Sequence, residues 1–138
     1  MSADFRLRVY YEDTDAGGIV YYANYLKFIE RARTEALLAA GLSQTAIRER
    51  HGVIFAVREV QATYLAPARL EDQLVVTTRA APVAGVRIEL AQDVLRDGRA
   101  LAKCRVGLAC VGPAGRPVRV PAAVAAALGG LPPLDDDI

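Results

Sequence analysis

The chain has 138 residues, of which 53% are hydrophobic and 24% are charged, and its formal net charge is +1. This composition fits one globular domain over residues 1–138; it excludes a disordered chain, and the near-neutral charge argues against a nucleic-acid partner. The N-terminus lacks the pattern of a secretory leader and no apolar run is long enough to cross a bilayer, so we expect a cytoplasmic protein without a transmembrane segment.

The first predicted element is a short strand that ends in an acidic loop. Residues up to Tyr11 favour β-structure, and residues 12–18, Glu-Asp-Thr-Asp-Ala-Gly-Gly, supply turn residues with freedom for positive φ. Asp13 and Asp15 are the carboxylates of this loop. Spacing alone favours a capping or Asx-turn role for them over a catalytic role, because acidic caps are common.

A long amphipathic helix is predicted from Tyr25. Its start leaves backbone N–H groups unpaired and carries the positive end of the helix dipole, so it can polarise a carbonyl oxygen. Because Asp15 precedes the helix in the same loop, one substrate carbon could meet both a carboxylate and an oxyanion donor. Glu30 and Glu35 are weaker catalytic candidates, which we interpret as surface partners of nearby basic residues. The apolar positions at helical spacing are Phe28, Ile29, Ala32, Ala36, Ala39 and Ala40.

The remaining chain is predicted to form a second helix, four strands and a last helix. The second helix runs from Ser43 to His51, and Asp97-Gly98 is a hairpin signal between the last two strands. An N-terminal strand, a long helix and about four consecutive strands predict an α+β fold whose sheet covers the helix with its apolar side. The strand-like runs are residues 53–64, 74–80, 86–91 and 99–111, the last helix covers 120–128, and a flexible tail is expected from about residue 130.

The cysteine and histidine content limits the chemistry. Cys104 and Cys110 lie six residues apart in one predicted strand, and at about 3.3 Å per residue they would be about 20 Å apart, too far for a disulfide. His51, the one histidine, is expected at the end of the second helix, where a ligand or catalytic role is disfavoured. We therefore expect reduced cysteines, no metal site and no histidine-dependent serine chemistry.

The run from Arg8 to Glu35 resembles the signature of the 4-hydroxybenzoyl-CoA thioesterase family of hotdog-fold proteins. Its last part is most similar to the branch known as Tol-Pal system-associated acyl-CoA thioesterases. The resemblance implies a hotdog fold, a curled antiparallel sheet of about five strands wrapped around a long central helix. The positions that carry it are Arg8, Val9, Thr14, Asp15, Gly18, Ile19, Val20, Asn24 and Tyr25, with a looser likeness at Tyr64, Pro67, Ala68, Arg69 and Asp72.

The resemblance also implies an acyl-CoA thioesterase that releases a carboxylic acid and coenzyme A without a cofactor. The catalytic aspartate of the family matches Asp15, as a nucleophile or as the base that activates water, and the backbone amide that polarises the thioester oxygen matches Tyr22. Many members of the branch have His where this chain has Tyr22, so a side-chain role of histidine is lost while the backbone donor is kept. The predicted substrate-binding positions are Gly18, Ile19, Val20, Tyr21, Asn24 and Tyr25.

Several alternatives remain open at this level. The expected substrate is a short- or medium-chain acyl-CoA, and 4-hydroxybenzoyl-CoA or another aromatic acyl-CoA is the alternative. A hotdog dehydratase or hydratase would need a catalytic histidine, and an acyl-CoA-binding scaffold is the non-enzymatic alternative. An exposed sheet edge favours subunit pairing, so we expect a homo-oligomer, a tetramer built from dimers with active sites at the interface. The candidates for binding the phosphates of coenzyme A are Arg58, Arg69, Arg87 and Lys103.

Overall fold

A computed structural model describes residues 4–134 of the chain. The strands are β1 (Phe5–Arg8), β2 (Ile54–Tyr64), β3 (Gln73–Ala80), β4 (Arg87–Arg96) and β5 (Arg99–Val111), and the helices are α1 (Asn24–Ala39), α2 (Gln44–His51) and α3 (Ala122–Leu128). All strand pairs are antiparallel, and the sheet order is β1-β3-β4-β5-β2. The predicted α+β class with a five-stranded sheet is therefore confirmed.

The hydrophobic core lies between α1 and one face of the sheet. Phe28, Ile29 and Ala32 of α1 are buried there, against inward residues such as Val76 and Val94. Burying a side chain of the size of Phe28 or Ile29 contributes about 1.5–3 kcal/mol. Of the apolar positions predicted for the helix, Phe28, Ile29, Ala32 and Ala36 are buried. Ala39 is instead exposed, and Ala40 is the half-buried residue that ends the helix.

The helix covers only part of the sheet. It packs on β1, β3 and β4, whereas Val57 and Val60 of β2 are 49% and 38% exposed. Both valines face inward, because Val57 pairs with Leu108 and Val60 with Val106 in the β2–β5 ladder. The inner face near β2 is therefore open in a single subunit.

Local signals explain where most elements begin and end. The Ser43 hydroxyl accepts the Ala46 N–H at the start of α2, and Gly52 ends that helix with φ 67°. Asp97 and Gly98 have φ 52° and 77°, the positive values that a two-residue hairpin turn requires. These predicted features are confirmed.

The N-terminal strand ends earlier than predicted. β1 stops at Arg8, and Tyr11–Asp13 form a short 3-10 turn. The reason is a local hydrogen bond, in which the Tyr10 N–H donates to Asp13 Oδ2 at 2.8 Å. A carboxylate three residues along the chain therefore ends the strand.

The segment after α3 runs beside β3. The Ala80 N–H donates to the Pro132 carbonyl at 2.9 Å, and Leu131 packs against the core. The tail predicted from about residue 130 thus includes a segment that is hydrogen-bonded to the sheet, and residues 135–138 lie outside the described residues. Among the helices of residues 4–134, none combines the length and the hydropathy needed to span a membrane.

Candidate active site

Asp15 lies in a tight hairpin that precedes α1. Thr14 and Val20 form an antiparallel bridge, the Asp15 N–H donates to the Ile19 carbonyl at 2.9 Å, and the Gly18 N–H donates to the Asp15 carbonyl at 3.1 Å. Gly18 has φ 78°, a conformation that costs residues with a Cβ about 1–2 kcal/mol. The acidic loop predicted from the sequence is therefore a closed turn of defined geometry.

The Asp15 carboxylate is exposed and has one oxygen engaged. Its Oδ1 accepts the Gly17 N–H at 2.8 Å, which is the Asx turn considered above as an alternative. Within residues 4–134, Oδ2 has no protein donor. The turn therefore fixes the side chain through one oxygen and leaves the other oxygen to face a substrate or a water.

Asp13 is a structural residue. It is only 4% exposed, and its Oδ1 lies 3.7 Å from Lys27 Nζ. Its carbonyl accepts the Tyr21 N–H at 3.0 Å and Asn24 Nδ2 at 2.8 Å. Asn24 thereby ties the hairpin to the first turn of α1.

The backbone amide of Tyr22 is unpaired at the start of the helix. The carbonyls of Tyr21 and Tyr22 accept the N–H groups of Asn24 and Tyr25 at 2.8 and 3.4 Å, so the chain is already turning helically here. The Tyr22 N–H itself has no acceptor in the part of the chain that the structure describes. An unpaired, fixed N–H at the positive end of a helix can donate to a developing oxyanion.

The ring of Tyr22 packs between two other tyrosine rings. The ring centroids of Tyr21 and Tyr22 are 4.9 Å apart, and those of Tyr22 and Tyr64 are 6.2 Å apart. The Tyr64 hydroxyl donates to the Tyr22 carbonyl at 3.0 Å, and burial raises the pKa of Tyr64, so that hydroxyl keeps its proton. Sequence reasoning did not select Tyr64 as a site residue, although the looser part of the resemblance contained it.

The predicted binding positions come together in one unit of hairpin and helix start. Gly18 and Tyr21 are exposed, and Ile19 and Asn24 are half-buried. Val20 and Tyr25 lie in the core, 4% and 3% exposed. Their contact with a substrate stays a prediction.

The loop of residues 66–72, which follows β2, contacts both the hairpin and the start of α1. The Tyr25 hydroxyl accepts the Ala68 N–H at 3.0 Å, and the Val20 N–H donates to the Ala68 carbonyl at 2.8 Å. Ile19 forms a bridge with Arg69. The hairpin is thus held between the helix start and the 66–72 loop.

The other catalytic candidates lie apart from this hairpin. Glu30 Oε2 accepts the Thr34 hydroxyl at 2.7 Å, and His51 is exposed at the end of α2. Cys104 and Cys110 are free and buried, and burial raises the pKa of Cys104 to about 11. No group of three or more metal-ligating side chains occurs within residues 4–134.

Three of the four basic candidates for phosphate binding fall in two places, and the fourth, Lys103, is an exposed residue of β5. Arg58 and Arg87 line one depression of about 610 Å³ on the outer face of the sheet, together with Arg105. Arg105 already forms an ion pair with Glu89 at 2.8 Å. Arg69 instead lies beside the hairpin, through its bridge to Ile19.

Known proteins resemble this chain in sequence and in fold. The thioesterase-like superfamily matches residues 9–128. Acyl-CoA thioesterase YbgC of Haemophilus influenzae is 44% identical over 107 residues, which are 78% of this chain and 79% of that protein. The 1,4-dihydroxy-2-naphthoyl-CoA hydrolase of Thermosynechococcus vestitus is 32% identical over 95 residues, 69% of this chain and 65% of that protein. The crystal structure of a probable thioesterase from Bartonella henselae matches with a TM-score of 0.80 at 34% identity, covering 86% of this chain and 98% of that one.

Proposed function

The chain belongs to the thioesterase-like superfamily and is an acyl-CoA thioesterase with the hotdog fold, and from this premise we propose that Asp15 and the Tyr22 backbone amide carry out the hydrolysis. The family predicted from the sequence is confirmed. The observation that carries the proposed site is the unpaired Tyr22 N–H at the start of α1, in the same unit as a carboxylate with one free oxygen.

The reaction needs little beyond these two groups. The thioester carbonyl oxygen accepts the Tyr22 N–H, which stabilises the negative charge that develops there. Asp15 then attacks the carbonyl carbon to form a mixed anhydride that water cleaves, or it takes a proton from a water that attacks instead. In both routes the carbon–sulfur bond breaks and coenzyme A leaves as a thiolate. Labelled oxygen from water entering the Asp15 carboxylate in a single turnover identifies the first route.

Replacing Asp15 by Asn tests the carboxylate. The amide oxygen of Asn can still accept the Gly17 N–H, so the turn is kept while the charge and basicity are lost. We expect kcat to fall about 10²–10⁴-fold, measured as thiol release from acetyl- to decanoyl-CoA. The matched control is Asp97→Asn in the exposed β4–β5 turn, which should keep the wild-type kcat. An Asp15→Asn enzyme with wild-type kcat would remove Asp15 from the mechanism.

We propose short- or medium-chain acyl-CoA as the substrate, and an aromatic acyl-CoA as the second candidate. The aromatic candidate is favoured by the exposed rings of Tyr21, Tyr22 and Tyr64, which are 48%, 61% and 44% exposed and can stack on an aromatic acyl group. Comparing kcat/KM for butyryl-CoA, hexanoyl-CoA and 4-hydroxybenzoyl-CoA discriminates the two. Acyl-CoA binding without any thiol release would instead identify a scaffold.

The proposed assembly is a tetramer built from dimers that pair through β2. β2 is an edge strand of 11 residues, and an exposed apolar edge is a surface that a second copy can cover. The other edge, β1, has only four residues, two of them exposed arginines. The exposed apolar residues along and just after β2 are Ile54, Val57, Val60, Tyr64 and Leu65, which are 49%, 49%, 38%, 44% and 54% exposed.

A cytoplasmic location is also part of the proposal. Coenzyme A thioesters are the proposed substrates, and the two cysteines are free, as is usual where thiols are kept reduced. Localisation of the full chain by fractionation tests it, with the protein expected beside the cytoplasmic marker.

A further inference from the structure

A cavity of about 260 Å³ lies between α1 and the inner face of the sheet, apart from the Asp15 hairpin. It has room for about eight or nine groups of the size of a water molecule, at about 30 Å³ each. Two charged side chains, Glu30 and Arg33, stand in an otherwise mainly apolar lining. Apolar walls with a few fixed polar groups are typical of small-ligand sites. The apolar lining includes Leu37, Phe55, Val57, Ile88, Leu90 and Leu108.

Arg33 is fixed by a buried glutamine. Its Nη1 donates to Gln92 Oε1 at 3.0 Å, while Gln92 Nε2 donates to the Ile29 carbonyl at 2.9 Å and to the Thr78 hydroxyl at 3.1 Å. Gln92 is 0% exposed, and its two donor contacts determine which way its oxygen points. The guanidinium is therefore preorganised rather than free to move.

The positive charge of Arg33 has no carboxylate partner within 4.0 Å among residues 4–134. Glu30, one turn earlier, has its Oε2 hydrogen-bonded to Thr34 at 2.7 Å instead. Burial lowers the pKa of Arg33, yet a guanidinium stays charged near neutral pH. Toward residues 4–134, one of its five N–H donors is used, so it retains a donor set that suits a planar carboxylate.

The proposed subunit pairing brings this cavity to the active site. The cavity reaches β2 at Phe55 and Val57, whereas Tyr64, beside Tyr22, ends the same strand. Antiparallel pairing of two copies along β2 places the Phe55 end of one strand beside the Tyr64 end of the other. The cavity of one copy then lies towards the Tyr22 and Tyr64 side of the other copy.

We propose that this cavity holds the distal part of the acyl group and that Arg33, positioned by Gln92, binds a carboxylate at its far end. The preferred substrates are then coenzyme A thioesters of dicarboxylic acids, with the second carboxylate free. This inference rests on the proposed thioesterase function. Glu30 opposes the same ligand, because like charges repel in a half-buried lining.

Matched substrate pairs test the inference. We compare kcat/KM for adipoyl-, suberoyl- and sebacoyl-CoA with that for hexanoyl-, octanoyl- and decanoyl-CoA, and take the ratio at each length. The wild-type ratio should exceed one for at least one length, and Arg33→Met should lower it about 10- to 100-fold, as expected for a lost charge-assisted hydrogen bond. Glu30→Gln should raise it. The controls Arg31→Met and Glu35→Gln, on the exposed side of α1, should leave it unchanged.

Each failure has its own signature. The wild type and Arg33→Met could both release thiol from hexanoyl-CoA and have the same ratio of kcat/KM for the matched substrate pairs. That result would overturn the carboxylate site and would leave the proposed thioesterase function unaffected. Absence of thiol release from every substrate would overturn the thioesterase function. The carboxylate site is then tested by calorimetric titration of Asp15→Asn with adipoyl-CoA and with hexanoyl-CoA. Equal affinities for the two thioesters would overturn the site. If Arg33→Met melts at a much lower temperature than the wild type, the test uses Glu30→Gln instead. A kcat/KM ratio that does not rise in Glu30→Gln contradicts the proposal.

Discussion

Two aspartates in one turn show how far a residue's role depends on its surroundings. Asp13 and Asp15 are two positions apart. The first is buried, with its carboxylate bound to the Tyr10 N–H, and the second is exposed with one oxygen free. Each carboxylate accepts one backbone N–H, so burial distinguishes them: Asp13 is closed to a substrate, and Asp15 is open to one.

At the same scale, the environment of Cys104 predicts its reactivity. It is 2% exposed, and burial raises the pKa of its thiol to about 11. Because the thiolate is the nucleophile, the native protein should be alkylated by iodoacetamide very slowly at pH 7, and about tenfold faster for each pH unit up to pH 9. Mass spectrometry of quenched samples measures this.

The denatured chain is the control for this experiment. In urea, iodoacetamide should alkylate Cys104 and Cys110 rapidly, because a solvent-exposed thiol has a pKa of about 8.5. Rapid labelling of native Cys104 at pH 7 would show that the thiol is accessible and contradict the structure.

At the scale of elements, the hairpin and the 66–72 loop hold each other in place. The Leu70 N–H donates to the Gly18 carbonyl at 3.3 Å and the Val9 N–H to the Asp72 carbonyl at 2.9 Å. The Asp72 carboxylate in turn accepts Arg96 Nη1 at 2.6 Å, which attaches the loop to the end of β4. The position of the proposed catalytic turn therefore depends on a loop about fifty residues away in sequence.

Acid should weaken this attachment. Partial burial raises the pKa of Asp72, but the Arg69 amide and the Arg96 guanidinium outweigh it and hold the pKa of the carboxyl below its ordinary value. A carboxyl group whose pKa is lower in the folded state stabilises the fold at pH values above its unfolded-state pKa of about 3.9. This stabilisation is lost as the pH falls through the lower, folded-state pKa. The free energy of unfolding of Asp72→Asn should therefore be about 1 kcal/mol lower than that of the wild type at pH 7. This difference should vanish at low pH.

Urea denaturation at pH 7 and at pH 2.5 measures both free energies of unfolding. The control is Asp97→Asn, the same chemical change in an exposed turn, which should be nearly neutral at both pH values. A difference for Asp72→Asn that persists unchanged at low pH would indicate a cause other than the ionised carboxylate.

At the scale of the whole molecule, one subunit leaves its core incomplete. α1 packs on β1, β3 and β4, so the inner residues of β2 and the cavity beside them remain open. A second copy paired along β2 would cover this surface and would place the two proposed sites at the interface. Assembly and activity should therefore fail together.

A charge at the centre of β2 tests that link. Val60 is one residue from the strand midpoint, so Val60→Lys would bring two like charges close together across the proposed two-fold axis. We expect the wild type to have a mass of two or four times 14.8 kDa by light scattering, and Val60→Lys to shift towards the monomer with loss of thiol release. Leu38→Lys is the control, since Leu38 is similarly apolar and 49% exposed but lies on α1. A monomeric wild type would contradict the assembly.

The sequence by itself determined the features that depend on near neighbours. The helical spacing of α1, the Ser43 cap, the Asp97-Gly98 turn and the alternation in β5 each follow from residues within a few positions of one another. The signature around Asp15 indicated the family and the candidate carboxylate for the same reason, because the hairpin and the helix start are contiguous in the chain.

Only the tertiary structure decided which distant residues meet. Tyr64 reaches the Tyr22 carbonyl across 42 positions, and Gln92 reaches Arg33 across 59. The strand predicted from the sequence ended at residue 91, whereas β4 continues to Arg96 and buries Gln92 between Leu90 and Val94. Even a longer predicted strand would state only that this side chain faces inward. Which helix residue it faces depends on strand order and register, and these are fixed by the packing of the whole chain rather than by any one segment.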